Sequence, residues 1–467
     1  MKGDEVRNIN GKFESQYFYD SESVLESLNS VSPSFCLAKW YNVSIHIPTG
    51  RTHSCYHPPT HPIPLKEIAI DVSALHNTQY KKNQRRLMLK GDRPIECSFC
   101  WQIEDSGNHL SDRAYRSKDV FEPGLIEEAK NNLDPNPRYV EVNFNQACNL
   151  KCSYCSPHLS TAWNQEIDKY GPYRLADNKT HNDTQWMRNQ NMVPNNSPDN
   201  PYLLAFWEWL PKIYPTLHTF RMTGGEPLMD KNTFRMFDYV KEHPSEKLHL
   251  SITSNCCPPG DQWSKFMTSV ISLEHSINHF MLFCSLDSWG PQAEYIRNGL
   301  NFDTLYKNIT EFLRNGKRHS LTFIITFNAL SYTGFVEYIK NIHKLRNEYN
   351  TDRQLIWFDI PMLNDPLWIN AKLLPELVTE LERALEFMIA NTEGEHNRFK
   401  GFKDFEISKV QRLIDWVKKD DKYDRKTAMK NFYLFFSQHD ERRGTSFLNT
   451  FPELTNFWIE CEKTQRN

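Results

Sequence analysis

The sequence has no large excess of charge of either sign. Its 467 residues include 55 Lys and Arg against 58 Asp and Glu, a formal net charge of −3. A strongly basic face is therefore not expected, which argues against a protein that binds nucleic acid through bulk charge. We expect no specific nucleic-acid binding.

The sequence also lacks any apolar run approaching the roughly 18 residues that span a bilayer. Its first residues, MKGDEVRNING, are polar and lack the apolar core of a signal peptide. We therefore expect a cytoplasmic protein with no membrane partner. In that compartment the 11 cysteines should be reduced, and clustered cysteines indicate metal or redox chemistry.

From Arg138 onward, short strand-like runs alternate with amphipathic helices. Six such β-α units predict an α/β fold with a parallel sheet, and they fit a partial (β/α)6 TIM-like barrel better than a closed eight-fold one. Such barrels carry their chemistry at the C-terminal ends of the strands. The strand candidates are RYVEVNF, LHTFRMT, LHLSITS, HFMLFCSLD, SLTFIITFN and QLIWFDIPM. The helix candidates are YLLAFWEWLPKI, KNTFRMFDYVKEH and FDTLYKNITEFLRNG.

The predicted organisation has five parts. They are a polar lead-in (1–34), a Cys-, His- and Pro-rich module of little helical periodicity (35–115), a linker with a charged helix (116–137), the partial barrel (138–365) and a helical C-terminal region (366–467). Within the module, WYNVSIHI predicts a strand followed by a turn. The Asn- and Asp-rich residues 163–200 are predicted as a long loop, either a lid or substrate-binding element or a solvated insertion.

Three cysteines lie within the stretch FNQACNLKCSYCSP, directly after the first predicted strand. Cys148, Cys152 and Cys155 are soft ligands that suit zinc or an iron–sulfur cluster. Three ligands on one loop can hold three irons of a [4Fe–4S] cube, which leaves the fourth iron open to bind another molecule. Zinc needs a nearby fourth ligand, for which His158 is the close candidate.

The spacing CX3CX2C, with Tyr154 before its last cysteine, resembles the signature of the radical S-adenosylmethionine (SAM) superfamily. The resemblance implies that SAM binds the open iron. An electron from the cluster then cleaves SAM to methionine and a 5′-deoxyadenosyl radical, which abstracts hydrogen from a substrate. It also implies an electron donor such as a flavodoxin or a ferredoxin. The protein's own task would be positioning and exclusion of water.

Two further segments resemble SAM-contacting motifs of that superfamily. TGGEP follows the second predicted strand, and its Gly224, Gly225 and Glu226 correspond to the GGEP motif that contacts the SAM amino group. ITSNC ends the third predicted strand, where the superfamily often has Thr-Asn-Gly near the SAM ribose. Ser254 and Asn255 match this pattern in type, whereas a cysteine stands in place of the glycine.

The fourth predicted strand ends in polar residues. Ser285 and Asp287 share one face by the period of two, and the resemblance assigns SAM contacts to this strand. Asp287 is also a candidate general base. Arg297, in YIRNG, resembles the arginine that contacts the SAM carboxylate; the alternative is a surface arginine. Thr326 and Asn328, in the fifth strand, are cavity candidates.

A second cysteine set precedes the predicted barrel. Cys36, Cys55, Cys97 and Cys100, read with Gly50 as C-x13-G-x4-C followed by CX2C, resemble the first part of the SPASM/twitch pattern that binds auxiliary iron–sulfur clusters. The module stands before the barrel instead of after it, and only four of seven cysteines are present. The alternative is a structural zinc. Further candidate ligands of such a zinc are His53, His57 and His61.

The sequence therefore predicts a radical SAM oxidoreductase or modifying enzyme with one auxiliary iron–sulfur cluster. Its substrate would be a peptide or protein, or a small molecule that is oxidised. The alternative is a zinc-stabilised scaffold with a degenerate barrel and no catalytic activity.

Overall fold

The computed structural model describes residues 20–107, 110–122, 124–316, 318–419 and 422–465. The polar N-terminal stretch MKGDEVRNING lies outside these ranges. The described residues form two compact units that are each discontinuous in sequence. The first contains the chain up to Gln146 with Val193–Ile252 and Ser272–Phe280, and the second contains Ala147–Met192, Thr253–Ile271 and the chain from Met281. The five predicted parts remain a prediction.

Each of the six predicted strand runs contains a strand, so these predictions are confirmed. In chain order the strands are β1 (Asn42–His46), β2 (Arg51–His53), β3 (His61–Pro62), β4 (Tyr139–Asn143), β5 (Lys151–Cys152), β6 (Tyr173–Arg174), β7 (Thr180–His181), β8 (Thr219–Thr223), β9 (Ser245–Ser254), β10 (Ile277–Ser285), β11 (Arg297–Asn298), β12 (His319–Ile324) and β13 (Ile356–Asp359).

The first unit is built on a sheet with the order β9-β8-β4-β1-β2-β3. The pairs β9–β8, β8–β4 and β4–β1 are parallel, and the two remaining pairs are antiparallel. The apolar side chains of these strands, such as Val140, Val142 and Phe220, are fully buried. They pack against the helix Pro201–Ile213, where the rings of Phe206 and Phe220 lie 6.1 Å apart. The predicted parallel α/β architecture is therefore confirmed, and its closure into a barrel remains a prediction.

In the second unit the strand order is β13-β12-β10, with β12 and β13 parallel. The helix Tyr332–Tyr349 covers these strands, and its Tyr338 ring lies 5.8 Å from that of Phe323. Two small antiparallel ladders, β5 with β11 and β6 with β7, complete the strands of this unit among the residues described.

The three predicted helices, which follow the first, second and fourth strand runs, are present, as are the predicted C-terminal helices. The described α-helices are Ser21–Asn29, Leu37–Tyr41, Leu65–Ile70, Gln79–Lys90, Ser98–Asp105, Asp112–Lys118, Leu125–Asn131, Thr161–Tyr170, Thr184–Asn189, Pro201–Ile213, Lys231–Glu242, Gln262–Ser272, Pro291–Ile296, Phe302–Arg314, Tyr332–Tyr349, Val378–Ala390, Asp404–Lys418, Arg425–Arg443, Phe447–Thr450 and Thr455–Lys463. Within the described part of the chain, none of these helices is both long and apolar enough to cross a membrane.

Two segments contain more helix than the sequence predicted. The described part of residues 35–115 holds four complete α-helices and the start of a fifth, Asp112–Lys118. In the longest of them, Gln79–Lys90, the buried side chains are Lys81, Arg85 and Met88. Because cations occupy its inner face, the helix has no apolar period to read. The segment 163–200 is also not a plain loop, since it contains most of the helix Thr161–Tyr170.

Candidate functional site

The cysteine loop, residues 148–155, is fixed by hydrogen bonds to its backbone N–H and carbonyl groups. Cys152 belongs to β5 and lies opposite Arg297 in the ladder with β11. The Cys152 carbonyl accepts hydrogen bonds from the Cys155 N–H at 2.9 Å and from the Trp163 indole N–H at 2.9 Å. The Cys148 N–H donates to the Thr161 hydroxyl at 3.1 Å. The loop is therefore organised before any metal binds.

A buried ion pair lies directly beside one of the three thiols. The Arg297 guanidinium donates through Nη2 to Asp287 Oδ1 at 3.0 Å, and its Nε lies 2.8 Å from Asp287 Oδ2 without hydrogen-bond alignment. The third nitrogen, Nη1, donates to Cys152 Sγ at 3.6 Å. Both charged side chains are buried, with 7% and 0% of their surface exposed. Arg297 is thus not a surface arginine.

The Asp287 carboxylate is shared by three donors. Besides Arg297, the Tyr154 hydroxyl donates to Oδ2 at 2.7 Å and the Thr326 N–H donates to Oδ1 at 2.9 Å. The Arg297 guanidinium also lies 5.7 Å from the centre of the Tyr154 ring. These three hydrogen bonds use most of the roughly four acceptor positions of the carboxylate. They favour an anchoring role for Asp287 over the predicted role of general base, which they do not test directly.

Burial makes two thiols of this loop, those of Cys152 and Cys155, weaker acids in the metal-free chain. Burial raises the pKa of Cys152, although the nearby Arg297 charge opposes the shift. Burial and the neighbouring Cys152 raise the pKa of Cys155 to about 12. A metal must therefore displace protons from these cysteines when it binds.

The predicted ribose-contacting segment lies against the cysteine loop. The Asn255 side-chain amide donates to Asn149 Oδ1 at 2.9 Å, and the Asn149 amide donates to the Cys257 carbonyl at 2.8 Å. Ser254 Oγ accepts from the Cys256 N–H at 2.9 Å. Cys256 has a φ of +55°, a conformation that favours glycine, which is the residue that the resembled motif has at this position. The structure therefore brings Asn255 to the cysteine loop.

The remaining cavity candidates differ in their surroundings. Ser285 ends β10 and is half-buried. The Asn328 side chain is fully buried and closes a local turn, donating to the Thr326 carbonyl at 2.9 Å and accepting from the Leu330 N–H at 3.0 Å. Its polar atoms are thus used within the chain, which argues against Asn328 as a cavity residue.

The Asn- and Asp-rich segment packs on the cysteine loop from a second side. The Asn182 side-chain amide donates to the Cys155 carbonyl at 3.1 Å. His158, the predicted fourth zinc ligand, bonds through Nδ1 to the Ser156 hydroxyl at 2.8 Å, and its ring lies 5.8 Å from that of Trp186. This segment is therefore packed rather than simply solvated, and its role as a lid remains a prediction.

The GGEP segment belongs to the first unit and requires its first glycine. Gly224 has a φ of +123°, and a Cβ atom there would lie 2.2 Å from Asn143 Oδ1. The Gly225 N–H donates to the Asn145 carbonyl at 3.4 Å. Glu226 is 1% exposed, and its carboxylate accepts from the Leu228 N–H at 3.1 Å.

Two buried acceptors around this segment lack a donor among the residues described. Asn143 and Gln146 are 4% and 7% exposed, and neither Asn143 Oδ1 nor Gln146 Oε1 receives a hydrogen bond. Because a buried acceptor without a donor is unfavourable, these atoms suit a ligand that carries N–H donors, such as an ammonium group.

Replacing Gly224 with alanine is expected to lower the free energy of unfolding by about 2–4 kcal/mol, through backbone strain and overpacking. Gly107 is a matched control, because it has a φ of +92° and, its chain neighbours aside, no atom of the described residues lies within 4 Å of the place that an alanine methyl would occupy. Gly107→Ala should cost only about 1 kcal/mol. Urea titration of the metal-free variants measures both losses, and equal losses would show that Asn143 imposes no steric constraint.

The N-terminal cysteine set, Cys36, Cys55, Cys97 and Cys100, lies within the first unit. Cys100 is buried in an apolar cluster, and Cys36 and Cys97 pack against that cluster. Burial raises the pKa of Cys97 and of Cys100 to about 12, and the charge of Cys36 adds to both shifts. Burial also raises the pKa of Cys55, to which Cys36 again contributes. The four thiols therefore share one neighbourhood.

A buried lysine accompanies this set, and no pattern in the sequence pointed to it. Lys39 is 3% exposed and pairs with Glu96. Despite the desolvation that accompanies burial, the charges of Cys97 and Glu96 hold the pKa of Lys39 above its usual value. A buried cation beside thiols would compensate the negative charge of thiolates.

The three nearby histidines have other partners. His57 pairs with Asp112 at 2.7 Å, and His61 Nε2 bonds to the Thr78 hydroxyl at 3.0 Å. His53 Nδ1 contacts the Cys55 carbonyl, and the Nε2 atoms of His53 and His46 lie 3.3 Å apart. These contacts favour structural roles over metal binding for the histidines.

Across the described ranges, no group of three or more His, Cys, Asp or Glu side chains converges to hold a single metal ion. A zinc ion draws all of its ligands onto one point, whereas each cysteine of a [4Fe–4S] cluster binds a different iron. The cysteine loop offers three soft thiols on one organised loop, with a guanidinium beside one of them. This donor set fits a cluster by its chemistry, and the seven cysteines remain predicted ligands.

No protein family and no curated protein matches the sequence. Among solved structures, the chain is similar to Streptococcus suis SuiB bound to S-adenosylmethionine, with 15% identity and a TM-score of 0.34 over 65% of this chain and 62% of that chain. It is also similar to SuiB bound to the precursor peptide SuiA, with 14% identity and a TM-score of 0.32 over 63% and 58% of the two chains. The chain thus spans less than two thirds of SuiB, and these values are too low to assign a fold.

Proposed function

We propose that this chain is a radical SAM enzyme with a [4Fe–4S] cluster in its cysteine loop. The observation that carries the proposal is the loop itself. Cys148, Cys152 and Cys155 combine the CX3CX2C spacing with an organised backbone and a buried arginine at the Cys152 sulfur. When bound, such a cluster with SAM supplies a 5′-deoxyadenosyl radical that abstracts hydrogen from a substrate.

The chain's own residues would bind and tune this cofactor. The three cysteines would each bind one iron and leave the fourth iron to SAM. Arg297 would donate to the Cys152 sulfur, and hydrogen bonds to cluster sulfurs are one of the features that set the reduction potential. Asp287 would hold Arg297 and Tyr154 in place, which differs from its predicted role as a base. The predicted contact of Arg297 with the SAM carboxylate would then be secondary.

The predicted SAM-contacting residues keep their roles in the proposal. The buried acceptors around Gly224, Gly225 and Glu226 suit the ammonium group of SAM, because they need donors that the described residues do not supply. Asn255 would contact the ribose while its own amide remains bonded to Asn149. Ser254 and Ser285 complete the proposed set.

The N-terminal cysteine set is proposed to hold an auxiliary iron–sulfur cluster. Its four thiols share one neighbourhood of the first unit, and the buried Lys39 would offset their charge. Such a cluster would accept an electron during oxidation of the substrate. The second candidate is a structural zinc, in which case the chain could be a scaffold without catalytic activity.

Metal analysis of anaerobically reconstituted protein separates these candidates. We expect about four irons and four sulfides per chain from the cysteine loop, and up to twice as many with an auxiliary cluster. Adding SAM should change the electron paramagnetic resonance spectrum of the reduced protein, because SAM binds the open iron. Zinc without iron or sulfide would support the scaffold and contradict the proposal.

The proposed substrate is either a peptide or protein, or a small molecule that is oxidised. SuiB itself binds a precursor peptide, SuiA, and the weak similarity does not extend that ligand to this chain. Deuterium transfer from labelled candidates into 5′-deoxyadenosine would identify the substrate and the position of abstraction.

A further inference from the structure

The C-terminal helix Arg425–Arg443 ends on the backbone of the cysteine loop's own strand. Its last residue, Arg443, has a fully buried side chain. The Arg443 guanidinium donates through Nη1 to the Lys151 carbonyl at 2.8 Å, one residue before Cys152. It also lies 4.6 Å from the centre of the Trp163 ring, whose indole N–H holds the next carbonyl, that of Cys152.

Glu166 fixes the orientation of Arg443. Its carboxylate accepts hydrogen bonds from Arg443 Nε at 3.0 Å and Arg443 Nη2 at 3.2 Å. Lys151 Nζ lies 2.7 Å from the same carboxylate, and the Tyr173 hydroxyl donates to it at 2.5 Å. Burial raises the pKa of Glu166, but these partners outweigh burial and lower it to about 2. A charged, two-point carboxylate partner leaves the planar guanidinium little freedom to turn.

The same helix also holds the segment that leads to the partner strand, β11. Asp440, one turn before Arg443, accepts from the Tyr295 hydroxyl at 2.8 Å. Its other contacts, from the Thr445 hydroxyl at 2.7 Å and the Phe447 N–H at 2.7 Å, fix the carboxylate itself. Tyr295 belongs to the helix Pro291–Ile296, which runs directly into β11 and therefore into Arg297.

We infer that the helix Arg425–Arg443 positions the cysteine loop, and that Arg443 is the positioning residue. The helix bonds to the Lys151 carbonyl of β5 through Arg443, and to Tyr295, in the helix that precedes β11, through Asp440. By holding both segments it sets the spacing of the ladder in which Cys152 faces Arg297. This positioning is a property of the metal-free chain, whereas its consequence for cluster binding rests on the proposed function.

Arg443→Gln removes the charge and the two-point fork from this grip. We expect alkylation of Cys152 by iodoacetamide in the metal-free chain to become about tenfold faster, because the loop opens more often. In reconstituted protein, iron loss to a chelator should become about 10–100-fold faster, because removing a residue that supports metal ligands typically weakens metal affinity by that factor. Arg443→Lys keeps the charge and should restore part of both effects.

Arg346 supplies a matched control in the same unit. It forms an equally buried pair with Glu406, and it also donates to a carbonyl, that of Gly401, at 3.0 Å. Arg346→Gln should therefore cost comparable stability without touching the cysteine loop. Trp163→Phe is a second test variant, since it removes the N–H that holds the Cys152 carbonyl and reduces the buried ring that Arg443 lies over.

Peptide-resolved mass spectrometry of alkylation, under conditions where circular dichroism shows each variant folded, decides the inference. Faster alkylation of Cys152 in the Arg443→Gln and Trp163→Phe variants, with no change in Arg346→Gln, supports it. Unchanged alkylation, or the same increase in all three variants, overturns it. If the wild-type chain binds no cluster at all, the proposed function fails, whereas the alkylation rates still decide the role of Arg443.

Discussion

Replacing Cys152 with alanine is expected to lower the iron content of reconstituted protein by about four atoms per chain. Cys152 is the thiol that the structure supports most: it lies in β5, its carbonyl is held by Trp163, and Arg297 donates to its sulfur. A cluster left with two cysteine ligands would lose its cubic assembly. Iron and sulfide analysis after anaerobic desalting measures the loss.

Cys284→Ala is the matched control for this experiment. Cys284 is also a buried cysteine of the second unit, and it lies within β10 on the apolar side of the strand. Its replacement removes a sulfur of the same size from the protein interior and should leave the iron content unchanged. Equal losses from Cys152→Ala and Cys284→Ala would show that iron uptake follows general stability and not ligation.

Asp287→Asn is expected to lower the free energy of unfolding of the metal-free chain by about 3–5 kcal/mol, the usual cost of breaking a buried ion pair from one side. The Arg297 guanidinium would remain buried without a counter-charge. Arg297→Gln should cost a similar amount. The double variant should lose less than the sum of the two single losses, because it leaves no uncompensated charge.

An exposed pair gives the contrast for this prediction. Lys418 and Glu382 pair at 2.6 Å with about half of each side chain exposed. Glu382→Gln should change the free energy of unfolding by less than about 1 kcal/mol, because solvent screens such pairs. Urea titration followed by tryptophan fluorescence measures all four variants. Additive losses in the double variant would contradict the coupling of Asp287 and Arg297.

The strands and most helices after Arg138 could be predicted because their side chains follow a simple period. In β4, buried Val140 and Val142 alternate with Glu141 on the other face, and the helix Pro201–Ile213 begins with an Asn200 cap and a proline. Residues 35–115 could not be predicted in the same way. Their helices are short, or they bury cationic side chains such as those of Lys81 and Arg85.

The chemistry of the site was predictable where it follows sequence spacing, and not where it depends on long-range contacts. The three cysteines and Gly224 belong to motifs that can be recognised in the sequence. Gly224 has a positive φ, a backbone conformation that favours glycine. The pairing of Asp287, which follows β10, with Arg297 in β11 has no local signal, because a two-residue strand carries no period. The helix Thr161–Tyr170, in contrast, has a local signal in the sequence that could have predicted it: Ser160 caps the helix, and the buried Trp163 and Ile167 are spaced by one turn.

The contact of Arg443 with the cysteine loop illustrates the limit of sequence reasoning. The arginine and the Lys151 carbonyl are separated by 292 positions, and nothing in the local sequence links them. Only the folded chain shows that the C-terminal region, predicted from the sequence only as helical, reaches the proposed cluster ligands.

The most direct test of the proposed function is product analysis after anaerobic reduction of the reconstituted chain with SAM present. We expect equal amounts of methionine and 5′-deoxyadenosine from the wild-type chain, and neither above background from the variant with Cys148, Cys152 and Cys155 all replaced by alanine. Cleavage that persists in that variant would contradict a cluster held by these three cysteines. The absence of cleavage by wild-type protein that carries a full complement of iron and sulfide would contradict the proposed function.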